Sequence, residues 1–384
     1  MKKIIPYHID EYGDEPEVTV AVPGRFHLLG EHLWFAHGDT LSLAIDKSLY
    51  ICVSKRSDNN FRFLSLSLEE RKRVTLAGLR YRKEDRWANS IKAVILAFID
   101  HGIHISGLNF TILSEIPADA GLGTPNALKV ATGLALRKIF APNLSKHDLA
   151  DIIEYANIQH LNTYAHRADI YSVLFAKAGK CVHTRHTKKI ADICDIPLDG
   201  YSIVLTDSRI PRSIAREELN ARVDECIEAY QLVKDLPDAP KQMSDITETF
   251  LDEIDIPEAV RRRVAYIIRE SASINTAVNA LQRNELQMFT RLIHRSHEGL
   301  RDRFEISSPE LDWLVKRACE FNEPDTNSLV CSRLTGKGFG GCTYAILKTE
   351  TVEEYQNKMI DYERIFGFTP IQHKVKPAGA ARIL

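Results

Sequence analysis

No two of the seven cysteines (Cys52, Cys181, Cys194, Cys226, Cys319, Cys331 and Cys342) stand at C-x-x-C spacing, and their odd number and wide scatter exclude a disulfide or zinc framework. Free thiols in a reducing cytoplasm are the expectation. The pairs His101/His104 and His183/His186 lack cysteines or carboxylates around them, so they read as surface-loop histidines rather than metal ligands. A dominant charge is missing too. Fifty basic against 52 acidic side chains leave a formal net charge of −2, which gives no electrostatic case for nucleic acid or an anionic membrane. The most apolar run, residues 93–99, falls far short of the roughly 20 residues that span a bilayer. The opening MKKIIPYHIDEYG is broken by Pro6, His8 and Asp10 before an apolar leader core forms, so export is not expected. Internal repeats and low-complexity tracts are absent.

What is present is a globular composition, 44% hydrophobic and 27% charged, over 384 residues, more than one compact core usually serves. Two domains are expected, meeting near residues 185–200. In the first half, EVTVAV (17–22) and LSLAIDKSLYICVS (41–54) have strand character, with a glycine-bearing turn and short helix between them. A basic, polar stretch follows. The pattern then predicts a helix over 88–102, a strand over 106–114 and an amphipathic helix over 146–160. A buried strand at 201–206 opens the second half. Helices are expected at 212–234, 257–270, 271–282, 284–299 and 308–321, with closing strands at 343–348 and 370–376.

Residues 115–136, EIPADAGLGTPNALKVATGLAL, combine a strand end, a glycine turn and a helix start. Gly121 and Gly123 permit positive φ, Thr124 suits an N-cap, and Pro125 suits the first helical position. Such a turn presents backbone N–H groups to an anion and is a candidate phosphate cradle. A capped strand-to-helix connection without a ligand explains the same residues. Two further glycine loops, PGRFHLLGEH at 23–32 and RLTGKGFGGCT at 333–343, flank this one in sequence order.

The order and separation of these three loops resemble the three motifs of the GHMP kinases, specifically the galactokinase family. WANSIKAVILAFIDHG (87–102) is similar to the family's segment before the second motif, and SHEGLRDRFEISSPELDWLV (296–315) resembles a galactokinase signature. The resemblance covers essentially the whole chain. It implies a two-domain α/β and α+β architecture, the GHMP kinase fold: a ribosomal S5 domain 2-like N-terminal domain over 1–195 and a ferredoxin-like C-terminal domain over 196–384. It also implies an ATP-dependent kinase that phosphorylates the C1 hydroxyl of a hexose, galactose or a related sugar. ATP and Mg2+ would be the cofactors, and the chain a cytoplasmic monomer whose partners are small molecules.

Carried over residue by residue, the resemblance makes Arg25 and Asp169 catalytic, with Glu31, His32 and Trp34 on the sugar. Trp87, Gly121, Gly123, Thr124, Asn126, Gly336 and Gly338 fall on the nucleotide, and Thr124 and Asn157 on the metal. Several positions depart from the family. Trp34 replaces a sugar-binding aspartate, Asn157 a magnesium-binding glutamate and Leu219 a sugar-side tyrosine, while Gly123-Thr124-Pro125-Asn126 replaces a serine run. Glu154, one turn before Asn157, is a candidate substitute for the lost carboxylate, and Arg167 is placed to depress the pKa of Asp169. Lys337 is a candidate extra cation on the third loop. These departures keep open an alternative, a catalytically impaired homologue acting as a sugar or nucleotide sensor or interaction protein.

Overall fold

The computed structural model describes residues 4–118, 120–323 and 326–384. Helix α1 (Ile5–Tyr12) leads into β1 (Val18–Leu29), a strand buried along its whole length. The turn and short helix expected after Val22 do not form there, because β1 runs on through Pro23. Its ladder with β2 (Thr40–Lys55) shifts register between Pro23 and Gly24, and such an irregularity is where a residue without an N–H is tolerated. Arg25 and His27 therefore project from a strand, which fixes them more tightly than a loop would.

The basic stretch after β2 is also ordered, as a hairpin of β3 (Asn60–Ser65) and β4 (Glu70–Thr75). Charged side chains suit β4 because it is a sheet edge, where they discourage pairing with other chains. Next come α2 (Ala88–Asp100), β5 (Leu108–Ser114), α3 (Thr124–Phe140) and α4 (Lys146–Tyr155), the last extended by a π-helical segment Ala156–His160. Helix α5 (Arg167–Leu174) and the hairpin β6 (Lys180–Arg185) and β7 (Ile190–Asp195) complete this half. His183 and His186 are buried, not on a surface loop: His183 faces Asp39 at 3.3 Å and His186 lies against His37.

The second half contains β8 (Tyr201–Asp207), α6 (Ala215–Lys234), α7 (Glu248–Asp252), α8 (Glu258–Gln282), α9 (Leu286–Asp302) and α10 (Pro309–Cys319). Then follow β9 (Cys331–Thr335), β10 (Cys342–Lys348), α11 (Val352–Asn357), α12 (Met359–Phe366) and β11 (Ile371–Val375). The two helices expected within 257–282 are the single helix α8, which holds neither glycine nor proline to break it. The strands form an antiparallel sheet in the order β11-β8-β10-β9. Ile203 and Leu205 face a core shared with the first half, while Val204 faces a second core with Tyr355 and Tyr362.

After β11 the chain returns to the first sheet. Asp46 N–H donates to Lys376 O at 3.0 Å, Ala378 N–H to Ala44 O at 2.8 Å, and β12 (Arg382–Ile383) pairs with β1. The first sheet thus runs β12-β1-β2-β5-β3-β4, with β6 pairing with β2 and β7 with β6, and among the described residues only β3 and β5 pair in parallel. Among the described residues no helix is long and apolar enough to cross a membrane.

Candidate functional site

The three glycine loops meet between the halves. Arg25 N–H donates to Leu122 O at 3.0 Å and its Nη1 to Gly121 O at 2.8 Å, so β1 holds the second loop by main chain and side chain together. Gly121 (φ 80°) and Gly336 (φ 82°) are back to back, and a Cβ on Gly336 would sit 2.8 Å from the Gly121 Cα. Both must be glycine for the second and third loops to touch. The N-cap of α3 is Gly123 in the left-handed conformation rather than Thr124, which is the first helical residue. Pro125 falls in the first turn, where its missing N–H costs the helix nothing but leaves one donor fewer for an anion.

Asp169, in the first turn of α5, is the convergence point. Its Oδ1 accepts from Arg25 Nε at 2.6 Å and lies 3.0 Å from His27 Nε2; its Oδ2 accepts from the Asn126 amide and lies 3.8 Å from His166 Nδ1. Burial would raise this carboxyl, but the Arg25 charge and the His27 hydrogen bond overcome it and hold Asp169 well below the usual carboxylate range. His166 is pushed down to about 4 by burial despite the pull of Asp169, so it is neutral at pH 7. Arg167 does not act on Asp169 as the sequence suggested. It turns away to make two bonds to the Glu154 carboxylate, at 2.6 and 2.5 Å, and one to His186 O.

That pairing bears on the metal position. Asn157 is fully buried, its Nδ2 donating to Ala165 O at 2.8 Å and its Oδ1 accepting from the Lys129 ammonium. Glu154 cannot substitute as a ligand while Arg167 chelates it. A divalent cation at Asn157 would have to displace an ammonium and accept a neutral amide, so the residues present do not fit one. Among the described residues no cluster of three His, Cys, Asp or Glu could hold a metal ion. Burial brings Lys129 down to about 8, with Asp169 opposing.

Glu31 lies in a clasp between the halves: its Oε2 accepts from Arg333 Nη2 at 2.9 Å, Thr335 Oγ1 at 3.2 Å and Gly336 N–H at 3.2 Å. Arg333 also reaches His27 O at 2.9 Å and Glu270 at 3.4 Å, while Glu270 accepts from Gly30 N–H at 2.7 Å. His32 is buried and stacks on Phe304 at 5.6 Å, with no hydrogen-bond partner for its ring nitrogens among the described residues. Trp34 packs 4.2 Å from the Tyr164 ring and 5.5 Å from His166, which brings it to the Asp169 side of the site. Gly338 lies against Ile306 O, and Trp87 is apart from this cluster, its Nε1 donating to Glu70 at 2.8 Å. Leu219 is buried in the core, and Lys337 is exposed on the third loop.

His27, Lys129, Arg333 and Glu270 were not singled out from sequence. A lysine or arginine inside an apolar helix or strand pattern was the available signal for Lys129 and Arg333, since such residues are rarely buried without a task.

The geometry can be set beside known proteins. A model of the galactokinase galactose-binding signature matches residues 7–55, one of the GHMP kinases N terminal domain residues 89–177, and one of the GHMP kinases C terminal residues 277–363. A putative galactokinase of Treponema pallidum (strain Nichols) is 58% identical over 384 residues, covering 100% of this chain and 97% of that relative. A galactokinase of Roseiflexus sp. (strain RS-1) is 29% identical over 357 residues, 91% of this chain and 88% of the relative. The Lactococcus lactis galactokinase structure, complexed with galactose, matches with a TM-score of 0.90 at 22% identity over 99% of this chain and 98% of that one. Methanococcus jannaschii mevalonate kinase matches with 0.62 at 16%, over 94% and 98%. At these identities the two structures speak to the fold alone.

Proposed function

This chain belongs to the galactokinase family of the GHMP kinases, and on that premise we propose that it transfers the ATP γ-phosphate to the C1 hydroxyl of a hexose, galactose or a related sugar. One observation carries this reading: Arg25 joins the glycine loop to Asp169, bonded to Gly121 O on one side and to the carboxylate on the other. Phosphoryl transfer asks mainly for positioning and charge neutralisation, and this arrangement supplies both at one point.

The Gly121–Asn126 turn and the start of α3 receive the ATP phosphates, and Arg25 neutralises charge that builds on the transferred group. Asp169, held so firmly as an anion, is a weak base at neutral pH. It accepts a hydrogen bond from the sugar hydroxyl, aims its oxygen, and takes the proton late, as the new O–P bond forms and the bond from the γ-phosphorus to the departing ADP oxygen breaks. Glu31 keeps the first and third loops in register. His32 offers buried ring nitrogens to sugar hydroxyls, and Trp34 offers an apolar face on which a sugar ring can stack but no acceptor for a hydroxyl. The hydroxyl otherwise recognised there is left unread, which widens the range of acceptable hexoses. The Asn157 position, an amide already bonded to an ammonium, does not fit magnesium. The free thiols suit a cytoplasmic site of action.

The test is ADP release from ATP with galactose and a panel of hexoses, with Asp169→Asn as control. Sugar-dependent ADP release abolished in the variant supports the kinase. ATP binding without turnover on any hexose would reassign the chain as a non-catalytic relative.

A further inference from the structure

We propose that Lys129 takes the place of a protein-held divalent cation, its ammonium neutralising the nucleotide phosphates from within the α3 face that lines the site. The proposal rests on the reading of the Gly121–Asn126 turn as an ATP site.

Lys129 follows Asn126 by one helical turn, so both side chains leave the same face of α3. Asn126 reaches Asp169, and Lys129 reaches Asn157 beside it. The Asp169 Oδ2 that Asn126 reaches also lies 3.8 Å from His166 Nδ1, and the Asp169 charge favours the protonated form of both His166 and Lys129. The Asn157 amide is oriented without ambiguity: its nitrogen donates to Ala165 O, leaving only its oxygen for Lys129.

Lys129 is 4% exposed, yet among the described residues no carboxylate lies within ion-pair distance of it. Asp169 is bonded to Arg25, His27 and Asn126, and Glu154 to Arg167. A buried ammonium answered only by an amide is costly to keep. Its positive charge has no carboxylate at ion-pair distance among the described residues, one helical turn from Asn126 at the end of the Gly121–Asn126 turn. The electrostatics are conserved by this arrangement in the chemical sense: a carboxylate holding a divalent cation carries a single net positive charge, and an amide holding an ammonium carries the same. What changes is that the charge is covalently part of the protein.

The experiment is calorimetric titration of ATP into the full-length protein in EDTA and in excess magnesium, repeated with Lys129→Met and Lys129→Gln, with Mn2+ binding followed by EPR. Wild type is expected to bind ATP within about threefold under the two conditions and to show no Mn2+ site of its own. Either lysine variant should lose about ten- to a hundredfold in ATP affinity in EDTA, the loss expected for one charged hydrogen bond. The pair Lys129→Ser with Asn157→Glu should make ATP binding magnesium-dependent and create a Mn2+ signal. ATP binding by wild type that collapses in EDTA overturns the Lys129 role and leaves the nucleotide site standing. So does unchanged ATP affinity in a lysine variant whose melting curve shows it folded. No ATP binding under either condition overturns both readings together.

Discussion

Arg333→Met removes a guanidinium that is fully buried and bonded to Glu31, Glu270 and His27 O, leaving two carboxylates in the interior without their direct ion-pair partner. Breaking a buried ion pair from one side costs about 3–5 kcal/mol. In a chain of this size that is a fall in Tm of about 6–10 °C at roughly 2 °C per kcal/mol. The pH dependence separates this cause from simple loss of packing. Burial already raises Glu270 beside Arg333, and loss of that charge moves both Glu270 and Glu31 upward, so the folded variant holds protons to higher pH than the folded wild type. Its deficit is then smallest below the unfolded carboxyl range and grows as pH rises through the raised folded values. Urea unfolding of wild type and variant from pH 4.5 to 8 measures this directly. Adding Glu270→Gln should recover part of the loss at pH 7 by removing one stranded charge. A deficit below about 1 kcal/mol, the worth of an exposed pair, or one that does not change with pH, would refute the assignment of Arg333 as the charge that holds the halves together.

Asp169→Asn should lower kcat by about a hundredfold or more, with ATP affinity retained, as read by sugar-dependent ADP release and titration. It strands Arg25 in the same way, so a Tm loss accompanies it. His8 is fully buried between Thr111 and Ser54, at 2.8 and 3.0 Å, and burial lowers its pKa from 6.5 to about 4. Its neutral form stabilises the fold by about 3 kcal/mol above pH 6.5, a contribution lost as pH falls towards 4; the slope of stability against pH in that window should flatten in His8→Asn. Trp34→Ala should raise the hexose KM by about tenfold while leaving ATP affinity unchanged, and an unaltered KM would remove Trp34 from the sugar site.

Much of this was legible in the chain because the motifs are local. A strand end, a glycine turn and a helix start leave their composition in twenty consecutive residues, and the second loop has that form. Asp169 was reached through the family resemblance, by aligning residues 148–160 without a gap and counting on, although the helix breaks off before α5 begins at Arg167. What escaped is pairing across long separations. Arg25 and Asp169 lie 144 residues apart, and nothing in either neighbourhood names the other. Arg167 was read as the partner of Asp169 because it is two positions away, but successive residues at a helix start point in different directions, and Glu154 was the nearer carboxylate in space. The polar hairpin of β3 and β4 was invisible for a related reason: an edge strand needs few apolar residues, so alternation is weak where pairing supplies the order.

The return of the tail has a consequence for synthesis. Val20 and Ala21 pair with Ile383 and Arg382, so β1 cannot gain its outer neighbour until more than 350 further residues have left the ribosome. Through that interval the edge of β1 at Thr19, Val20 and Ala21 stands unpaired, the kind of strand edge on which emerging chains associate with one another. The half made first is therefore the half that waits, and its protection during translation depends on whatever shields that edge until residues 382–384 arrive.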